Sequence, residues 1–321
     1  MLCCFALVES ADSLGFASLS LNSVLIVGHF IVHTNEKEFV SKKYICPILN
    51  RPTGVDETGF HQEAWSLVRC QETGLIFLAD PPDYSQLESE FAWEETSTAE
   101  RERRILEEPI ISRLSSFIKK ARSVAFPRRN KIALLMMTVT KGWNRSEPLQ
   151  LLDIGCGWGN LMVDIYNRFA KMGQTVVPCV IEVSEHLASL SADRAAELGG
   201  KVISANAIDG SSELNPDSIH VVVMSSFLEH ECRPLSLLKQ FHPILKSKGV
   251  IILKVPNFAC WNRIIRGRKW CGFRYPDHVN YFTPRTLRRL AQEAGFTVSR
   301  QNYLDKFPLS DNMYAILTKR A

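Results

Sequence analysis

The chain has 321 residues, of which 45% are hydrophobic, so it is long enough to bury the core of one large α/β domain together with a smaller appendage. Its 38 basic and 34 acidic residues leave a formal net charge of only +4, and composition alone therefore does not support a nucleic-acid-binding or membrane-binding protein. The nine cysteines are odd in number and irregularly spaced, which argues against a disulfide framework and favours a reducing, cytoplasmic location.

Residues 1–40 are predicted to form an apolar leader. Within it, residues 13–35 carry no formal charge and are about long enough to cross a bilayer, which takes roughly 20 apolar residues. Serine, asparagine and histidine side chains inside the run oppose insertion, and no basic region precedes it as in a cleaved signal. A membrane anchor and a peripheral leader both remain open. If the run inserts, the lysines that follow it hold the rest of the chain on the cytoplasmic side, and in either case the main domain is expected to face the cytoplasm.

Two further segments precede the main domain. Residues 41–95 predict a small irregular module, because prolines and glycines punctuate short apolar runs such as "LIFL". Residues 96–148 predict a helical bridge, with helices over 98–120 and 128–140, since apolar residues recur there at steps of three and four.

From residue 149 to 321, apolar strands alternate with amphipathic helices. The predicted strands are "LQLLDI", "VVPCVIEV", "KVISA", "IHVVVMSS" and "GVIILKV", and helices are predicted near 159–172, 185–198 and 234–245. This alternation predicts a doubly wound, mostly parallel α/β sheet with helices on both faces. Ligands of such sheets bind beyond the carboxyl ends of the strands.

Three glycines at alternate positions follow the first of these strands, in "LLDIGCGWGN". Gly155, Gly157 and Gly159 allow positive φ angles and a close approach of backbone amides to a ligand. Glu182 ends the second strand, where a carboxylate can accept hydrogen bonds from both ribose hydroxyls of an adenosine. The sequence therefore predicts a nucleoside-containing cofactor.

The order of residues in this turn distinguishes two cofactor classes. A dinucleotide pattern, G-x-G-x-x-G, needs a glycine at position 160, where the chain has Asn160. The arrangement D-x-G-x-G-x-G from Asp153 to Gly159 resembles the first motif of the Rossmann-like S-adenosylmethionine-dependent methyltransferases. In that family the acid can face the positively charged methionine end of the cofactor.

The resemblance covers residues 149 to 319 and is carried by further motifs in the expected order. These are "VIEVSE", "SFLEH", "LKSKGVIILKVPN" and "DHVNYFTPRTLRRLAQEAGF", followed by an antiparallel strand in "NMYAILTKR". The resemblance implies a seven-stranded sheet, S-adenosylmethionine as the cofactor, and methyl transfer as the activity. Asn206 stands where many relatives have an aspartate that contacts adenine, although an amide oxygen can still accept from an amino group.

The resemblance also implies where the acceptor binds. Methyl transfer to a hydroxyl requires alignment of the nucleophile and removal of its proton, and a histidine is the natural base. His230 and His278 lie in segments on the acceptor side and are the candidate bases, with a structural role as the alternative for each. Further candidates for contact with the acceptor are Glu229, Asn257, Arg266 and Arg274.

Residues 261–275, "WNRIIRGRKWCGFRY", interleave basic and aromatic side chains. Three interpretations are open: a lid over an anionic or planar acceptor, a platform for single-stranded RNA, and a flap whose aromatic residues close the core. Relatives that methylate small molecules have similar residues here, and the rest of the chain is not basic, so nucleic acid is disfavoured as a partner.

The 41–95 module resembles the zinc ribbon that precedes the methyltransferase domain in some relatives, in which two C-x-x-C knuckles bind one metal. Cys46 and Cys70 keep the first position of each knuckle, but Leu49 and Thr73 occupy the second. Even with His61 the ligand set falls short of four, so the prediction is a metal-free module that serves as a substrate or oligomer surface.

The sequence thus predicts a cytoplasmic S-adenosylmethionine-dependent methyltransferase acting on a small molecule, in particular on a hydroxyl of a metabolite, lipid precursor or sugar. A catalytically silent, cofactor-binding interaction protein and an RNA methyltransferase are the alternatives.

Overall fold

The computed structural model describes residues 25–27, 30–32, 44–82, 86, 102, 106 and 130–320. It divides into two units, residues 1–42 and residues 43–321. In the first unit, β1 (Leu25–Val27) pairs antiparallel with β2 (Phe30–Val32). The rest of the predicted leader lies outside the described residues. None of the helices described is both long and apolar enough to cross a membrane.

Six strands of the second unit build its N-terminal module. They are β3 (Tyr44–Cys46), β4 (Arg51–Thr53), β5 (Val55–Gln62), β6 (Trp65–Cys70), β7 (Ile76–Leu78) and β13 (Asn280–Tyr281). β3 and β4 form a hairpin, and the other four form a sheet of order β13-β7-β6-β5. Because β13 comes from the "DHVNYF" segment, the module shares a sheet with the residues that directly follow His278.

The two knuckle positions of this module lie close together. The amides of Leu49 and Asn50 donate to the Cys46 carbonyl, and the Gly74 amide donates to the Cys70 carbonyl. Both thiols are fully buried. The Thr73 hydroxyl lies 3.5 Å from the Cys46 sulfur, and the Thr73 amide donates to the Cys70 sulfur at 3.4 Å. Thr73 therefore contacts both thiols from the position that a second knuckle cysteine occupies in a zinc ribbon.

The main domain is a seven-stranded sheet in the part of the chain that the structure describes. Its strands are β8 (Leu149–Ile154), β9 (Val176–Glu182), β10 (Lys201–Ser204), β11 (Ile219–Ser225), β12 (Leu245–Pro256), β14 (Phe296–Arg300) and β15 (Asn312–Lys319). The order is β10-β9-β8-β11-β12-β15-β14. The first five strands are parallel, and β15 is antiparallel to both β12 and β14. This confirms the predicted doubly wound α/β fold and its antiparallel last strand.

Helices cover both faces of this sheet. They are α1 (Lys131–Val139), α2 (Asn160–Ala170), α3 (Glu185–Glu197), α4 (Ala207–Ser212), α5 (Pro234–Ile244) and α7 (Pro284–Glu293). A further short helix, α6 (Trp261–Arg266), buries none of its residues. The helices predicted near 128–140, 159–172, 185–198 and 234–245 are therefore observed. Of the helix predicted over 98–120, only residues 102 and 106 are described, and both are helical.

Local signals explain where these helices begin. The Ser184 side chain accepts from the Leu187 amide, Asn206 accepts from the Asp209 amide, and Thr283 forms a capping box with Thr286. Side chains of this kind satisfy amides that have no partner in the first turn of a helix.

The strands bury their side chains alternately on the two faces of the sheet. Along β11, Val222 and Met224 belong to the core cluster on one face, whereas Val221 and Val223 belong to the cluster on the other. A strand covered on both faces is apolar throughout, which is why "IHVVVMSS" has no alternation of polar residues. The sheet is thus buried on both faces, and the polar residues Glu182 and Ser225 end two of its strands.

Candidate functional site

A cavity of about 460 Å³ lies at the carboxyl edge of the sheet. Residues at or just beyond the ends of five strands line it, from β10 across β9, β8 and β11 to β12. Six of the predicted site residues are among those that line it: Gly155, Gly157, Glu182, Asn206, His230 and Arg274. The other six, Asp153, Gly159, Glu229, Asn257, Arg266 and His278, do not reach the cavity wall.

The glycine turn directly follows β8. Gly155 has a φ of +66°, in the left-handed region, and a Cβ built on it lies 2.6 Å from Cδ2 of Phe227. A side chain at this position is therefore excluded twice, by backbone conformation and by space. The Gly155 amide donates to the Ile181 carbonyl at 2.9 Å, which ties the turn to the end of β9.

Glu182 is the last residue of β9, and its side chain is held in place by backbone amides. One carboxylate oxygen accepts from the Gly157 amide at 3.0 Å, and the other accepts from the Ser184 amide at 3.2 Å. Glu182 is 6% exposed, so this carboxylate is fixed at the cavity wall before any ligand binds. A carboxylate oxygen has further lone pairs, which suit it to accept from ribose hydroxyls.

Asp153 lies behind the turn and is 1% exposed. Burial, together with the negative charge of Glu182, raises the pKa of Asp153 to about 7. Its Oδ2 atom has no hydrogen-bond partner among the described residues. A buried carboxyl oxygen without a hydrogen-bond partner is stabilised by a nearby cationic group. Because Asp153 lies behind the cavity wall, its role toward a positively charged cofactor stays a prediction.

Asn206 lines the cavity, but both ends of its amide have partners. Its oxygen accepts from the Asp209 amide at 3.0 Å, and its nitrogen donates to the Asp209 carboxylate at 2.7 Å. Asn206 is the N-cap residue of α4. Any contact of its oxygen with an adenine amino group would therefore share that oxygen with the cap.

His230 is bound to Asp277, a residue that sequence reasoning did not select. The Nδ1 atom of His230 lies 2.6 Å from Oδ1 of Asp277 and 3.0 Å from the Asp277 carbonyl. The other Asp277 oxygen binds Nη2 of Arg274 at 2.6 Å. All three residues line the cavity. The only sequence signal for Asp277 is that it directly precedes His278 in "YPDHV".

The electrostatics of this group follow from its geometry. Burial disfavours the charged form of His230, but the charge and hydrogen bond of Asp277 outweigh it, so the pKa of His230 is raised above its usual value. The pKa of Asp277 is lowered despite its burial, because His230 and Arg274 stabilise the carboxylate. Since Nδ1 faces Asp277, Nε2 is the ring nitrogen that is left to act as a base when His230 is neutral.

His278 has a different environment, although its ring centroid is 4.7 Å from that of His230. It is 4% exposed, and its Nδ1 atom lies 2.8 Å from the Gly272 carbonyl, to which it can only donate. Burial and the positive charge of His230 lower the pKa of His278 to about 3. His278 is therefore neutral at physiological pH and packs behind the cavity wall.

Two other predicted acceptor contacts are also buried away from the cavity. Glu229 is 1% exposed, and burial raises its pKa. Asn257 is 3% exposed and accepts from the Ala259 amide at 3.1 Å. In the segment 261–275, Trp270 and Phe273 are buried in a cluster with other aromatic residues. These two side chains close a core, as in the flap interpretation of that segment.

Comparisons with known proteins show the family to which the chain belongs. Residues 110–301, more than half of the chain, match the family model described as "Methyltransferase domain". The ubiquinone biosynthesis O-methyltransferase of Aeromonas salmonicida (strain A449) is 24% identical over 169 residues, which cover 50% of this chain and 68% of that protein.

Solved methyltransferases show weaker similarity. The plantazolicin methyltransferase BamL, in complex with S-adenosylhomocysteine, matches with a TM-score of 0.48 and 14% identity over 71% of this chain and 97% of its own. The 1,6-didemethyltoxoflavin-N1-methyltransferase of Burkholderia thailandensis matches with a TM-score of 0.44 and 14% identity, over 83% of this chain and 100% of its own. The family match over residues 110–301 is the finding that decides the assignment, and the chain belongs to the S-adenosylmethionine-dependent methyltransferases.

Proposed function

We propose that the chain transfers the methyl group of S-adenosylmethionine to a hydroxyl oxygen of a small-molecule acceptor, with His230 as the general base. The observation that supports this most directly is the bond of 2.6 Å between His230 and Asp277 at the wall of the cavity that also contains the glycine turn and Glu182. A hydroxyl must lose its proton during methyl transfer, and an oriented histidine is suited to take it.

The residues present fit the cofactor. Glu182 offers a fixed carboxylate to the ribose hydroxyls, and Gly155 and Gly157 line the cavity with backbone that carries no side chain. Behind the cavity wall, Oδ2 of Asp153 has no hydrogen-bond partner among the described residues, so this buried carboxyl can stabilise a positively charged sulfonium and amine electrostatically. When bound, S-adenosylmethionine supplies an activated methyl group on a sulfonium, so the protein itself has to bind, align and deprotonate the acceptor.

His230, Asp277 and Arg274 have different roles in deprotonating the acceptor. His230 accepts the acceptor proton at Nε2, which creates a positive charge on the ring. Asp277 holds Nδ1 and stabilises that charge, while Arg274 fixes the orientation of the Asp277 carboxylate. Asp277 and Arg274 are thus positioning residues, and His278 supports the wall as a neutral side chain.

The test compares two histidine variants in the turnover of methyl-labelled S-adenosylmethionine, with a small-molecule fraction of cell extract as the acceptor source. His230→Ala should lower kcat by roughly 10²- to 10⁴-fold and leave the affinity for S-adenosylhomocysteine unchanged. His278→Gln, which keeps a polar neutral side chain, should retain most of the activity. Mass spectrometry of the product then identifies the methylated atom.

Three outcomes contradict the proposal. Full activity of His230→Ala from pH 6 to 9 would exclude it as the base and favour an amine or an already ionised nucleophile. Methylation of nitrogen or carbon in the product would exclude O-methyl transfer. Failure to form S-adenosylhomocysteine with any extract fraction would favour a cofactor-binding protein without catalytic activity.

A further inference from the structure

One cation at the cavity wall, Lys254, forms no ion pair in the part of the chain that the structure describes. Lys254 lies near the carboxyl end of β12, where it is opposite Ser225 of β11 in the parallel register. Its Nζ donates to the Ser226 hydroxyl at 2.9 Å. Among the residues described by the structure, no carboxylate oxygen lies within 4.0 Å of this ammonium group.

Ser226 is held in an unusual conformation beside this lysine. Its φ is +60°, in the left-handed region that residues other than glycine rarely adopt. Its amide donates to the Lys254 carbonyl at 2.8 Å, and its hydroxyl accepts from the Lys254 ammonium. The amide and the hydroxyl of this strained residue thus both bind Lys254, and strained residues of this kind cluster at functional sites. Here the result is an ammonium group fixed in position at the cavity wall.

The other cationic side chains at the wall are compensated. Arg274 binds Asp277 at 2.6 Å, and His230 shares the same carboxylate. The acid that acts on Lys254 electrostatically is Glu229, which is itself buried and has its pKa raised by burial. Burial also lowers the pKa of Lys254, because the ammonium is partly removed from water and the charge of Glu229 offsets this only in part. An anionic ligand group would supply that missing charge.

The position of Lys254 in the sheet separates it from the ribose-binding carboxylate. Glu182 ends β9, whereas Lys254 lies on β12, three strands away in the order β9-β8-β11-β12. At about 4.8 Å per strand, the two strands are roughly 14 Å apart. Lys254 is thus on the half of the cavity edge that holds His230 and Arg274.

We infer that Lys254, oriented by Ser226, binds an anionic oxygen of the acceptor, so that the acceptor is an acidic small molecule. This inference rests on the proposed function for the location of the acceptor beside His230. It specifies a substrate class: molecules that carry an ionised oxygen, such as a carboxylate, within reach of the hydroxyl to be methylated.

The test measures binding to the protein saturated with S-adenosylhomocysteine, with benzoate and benzamide as probes of nearly equal shape. Calorimetry or ligand-observed NMR should show benzoate bound about tenfold more tightly than benzamide. Lys254→Met should reduce this preference to within about twofold and leave the affinity for S-adenosylhomocysteine unchanged. The matched control is Lys246→Met, at the other end of β12, where the lysine binds Glu147 at the surface.

Other results overturn the inference. Equal binding of the two probes by the unmodified protein, including no binding of either at millimolar concentration, excludes an anion site. A parallel loss of S-adenosylhomocysteine affinity in Lys254→Met would assign the lysine to the cofactor carboxylate instead. These outcomes are separate from those of the proposed function. If the protein prefers benzoate but methylates nitrogen, the anion site is supported and O-methyl transfer is refuted. If the protein shows no preference for benzoate but methylates oxygen, O-methyl transfer is supported and the anion site is refuted.

Discussion

The bond between His230 and Asp277 makes a quantitative prediction about pH dependence. A general base must be neutral to accept a proton, so kcat/KM should fall as the pH decreases through the pKa of His230 in the free enzyme. That pKa lies above the usual histidine value because of Asp277. Asp277→Asn keeps the shape of the side chain but removes its charge, and the acidic limb of the profile should therefore move to lower pH.

The size of this shift can be worked out from the contact. The side chains of His230 and Asp277 are 19% and 6% exposed, so water screens their 2.6 Å bond only weakly. A hydrogen bond to a charged group is worth about 1.5–3 kcal/mol, and one pKa unit corresponds to about 1.36 kcal/mol. The limb should shift downward by about one to two units. Arg274, which loses its carboxylate partner in the variant, acts in the same direction because its positive charge disfavours a charged His230.

The assay is kcat/KM from pH 5 to 9 with the acceptor identified by mass spectrometry. At the alkaline plateau the variant should also be slower, by up to the roughly 10²- to 10⁴-fold that a general base contributes, because its base is weaker and less well oriented. Asp164→Asn, which removes a surface partner of Arg168, is the matched control and should leave the profile unchanged. An acidic limb that stays in place in Asp277→Asn, or that moves to higher pH, would refute the assignment of His230.

Three further predictions concern the cofactor end and the N-terminal module. Glu182→Ala should weaken S-adenosylhomocysteine binding by about 1–3 kcal/mol in calorimetry, whereas the exposed Glu185→Ala should not. Gly155→Ala should weaken S-adenosylhomocysteine binding about tenfold or more, because the new methyl group lies 2.6 Å from an aromatic carbon of Phe227. The control is Gly173→Ala, which is also at positive φ but in open space. It should lower the free energy of unfolding by only about 1–2 kcal/mol. Protein purified without added zinc should contain far less than one zinc per chain by elemental analysis, and one zinc lost in Cys46→Ser would show that other ligands complete the site.

The sequence by itself determined the architecture and located the glycine turn and Glu182 at the carboxyl ends of neighbouring strands. The order of strands and helices after residue 148, the glycine turn and Glu182 are all local patterns, because each depends on residues within one strand, one turn or one helix. Buried parallel strands appear in the sequence as continuous apolar runs, and a turn that requires positive φ appears as a glycine. These signals survive in a single sequence without knowledge of distant contacts.

Only the tertiary structure shows that the two histidines have different environments. His230 and His278 looked equivalent in the sequence, since each follows an acidic residue and lies in a segment on the acceptor side. Their difference arises because Asp277 returns to His230 across 47 residues of chain, whereas His278 donates to a carbonyl behind the wall. The pairing of Lys254 with Ser226 spans 28 residues and leaves no periodic signal. Burial and charge compensation depend on which strand ends meet at the sheet edge, and that is a property of the assembled fold.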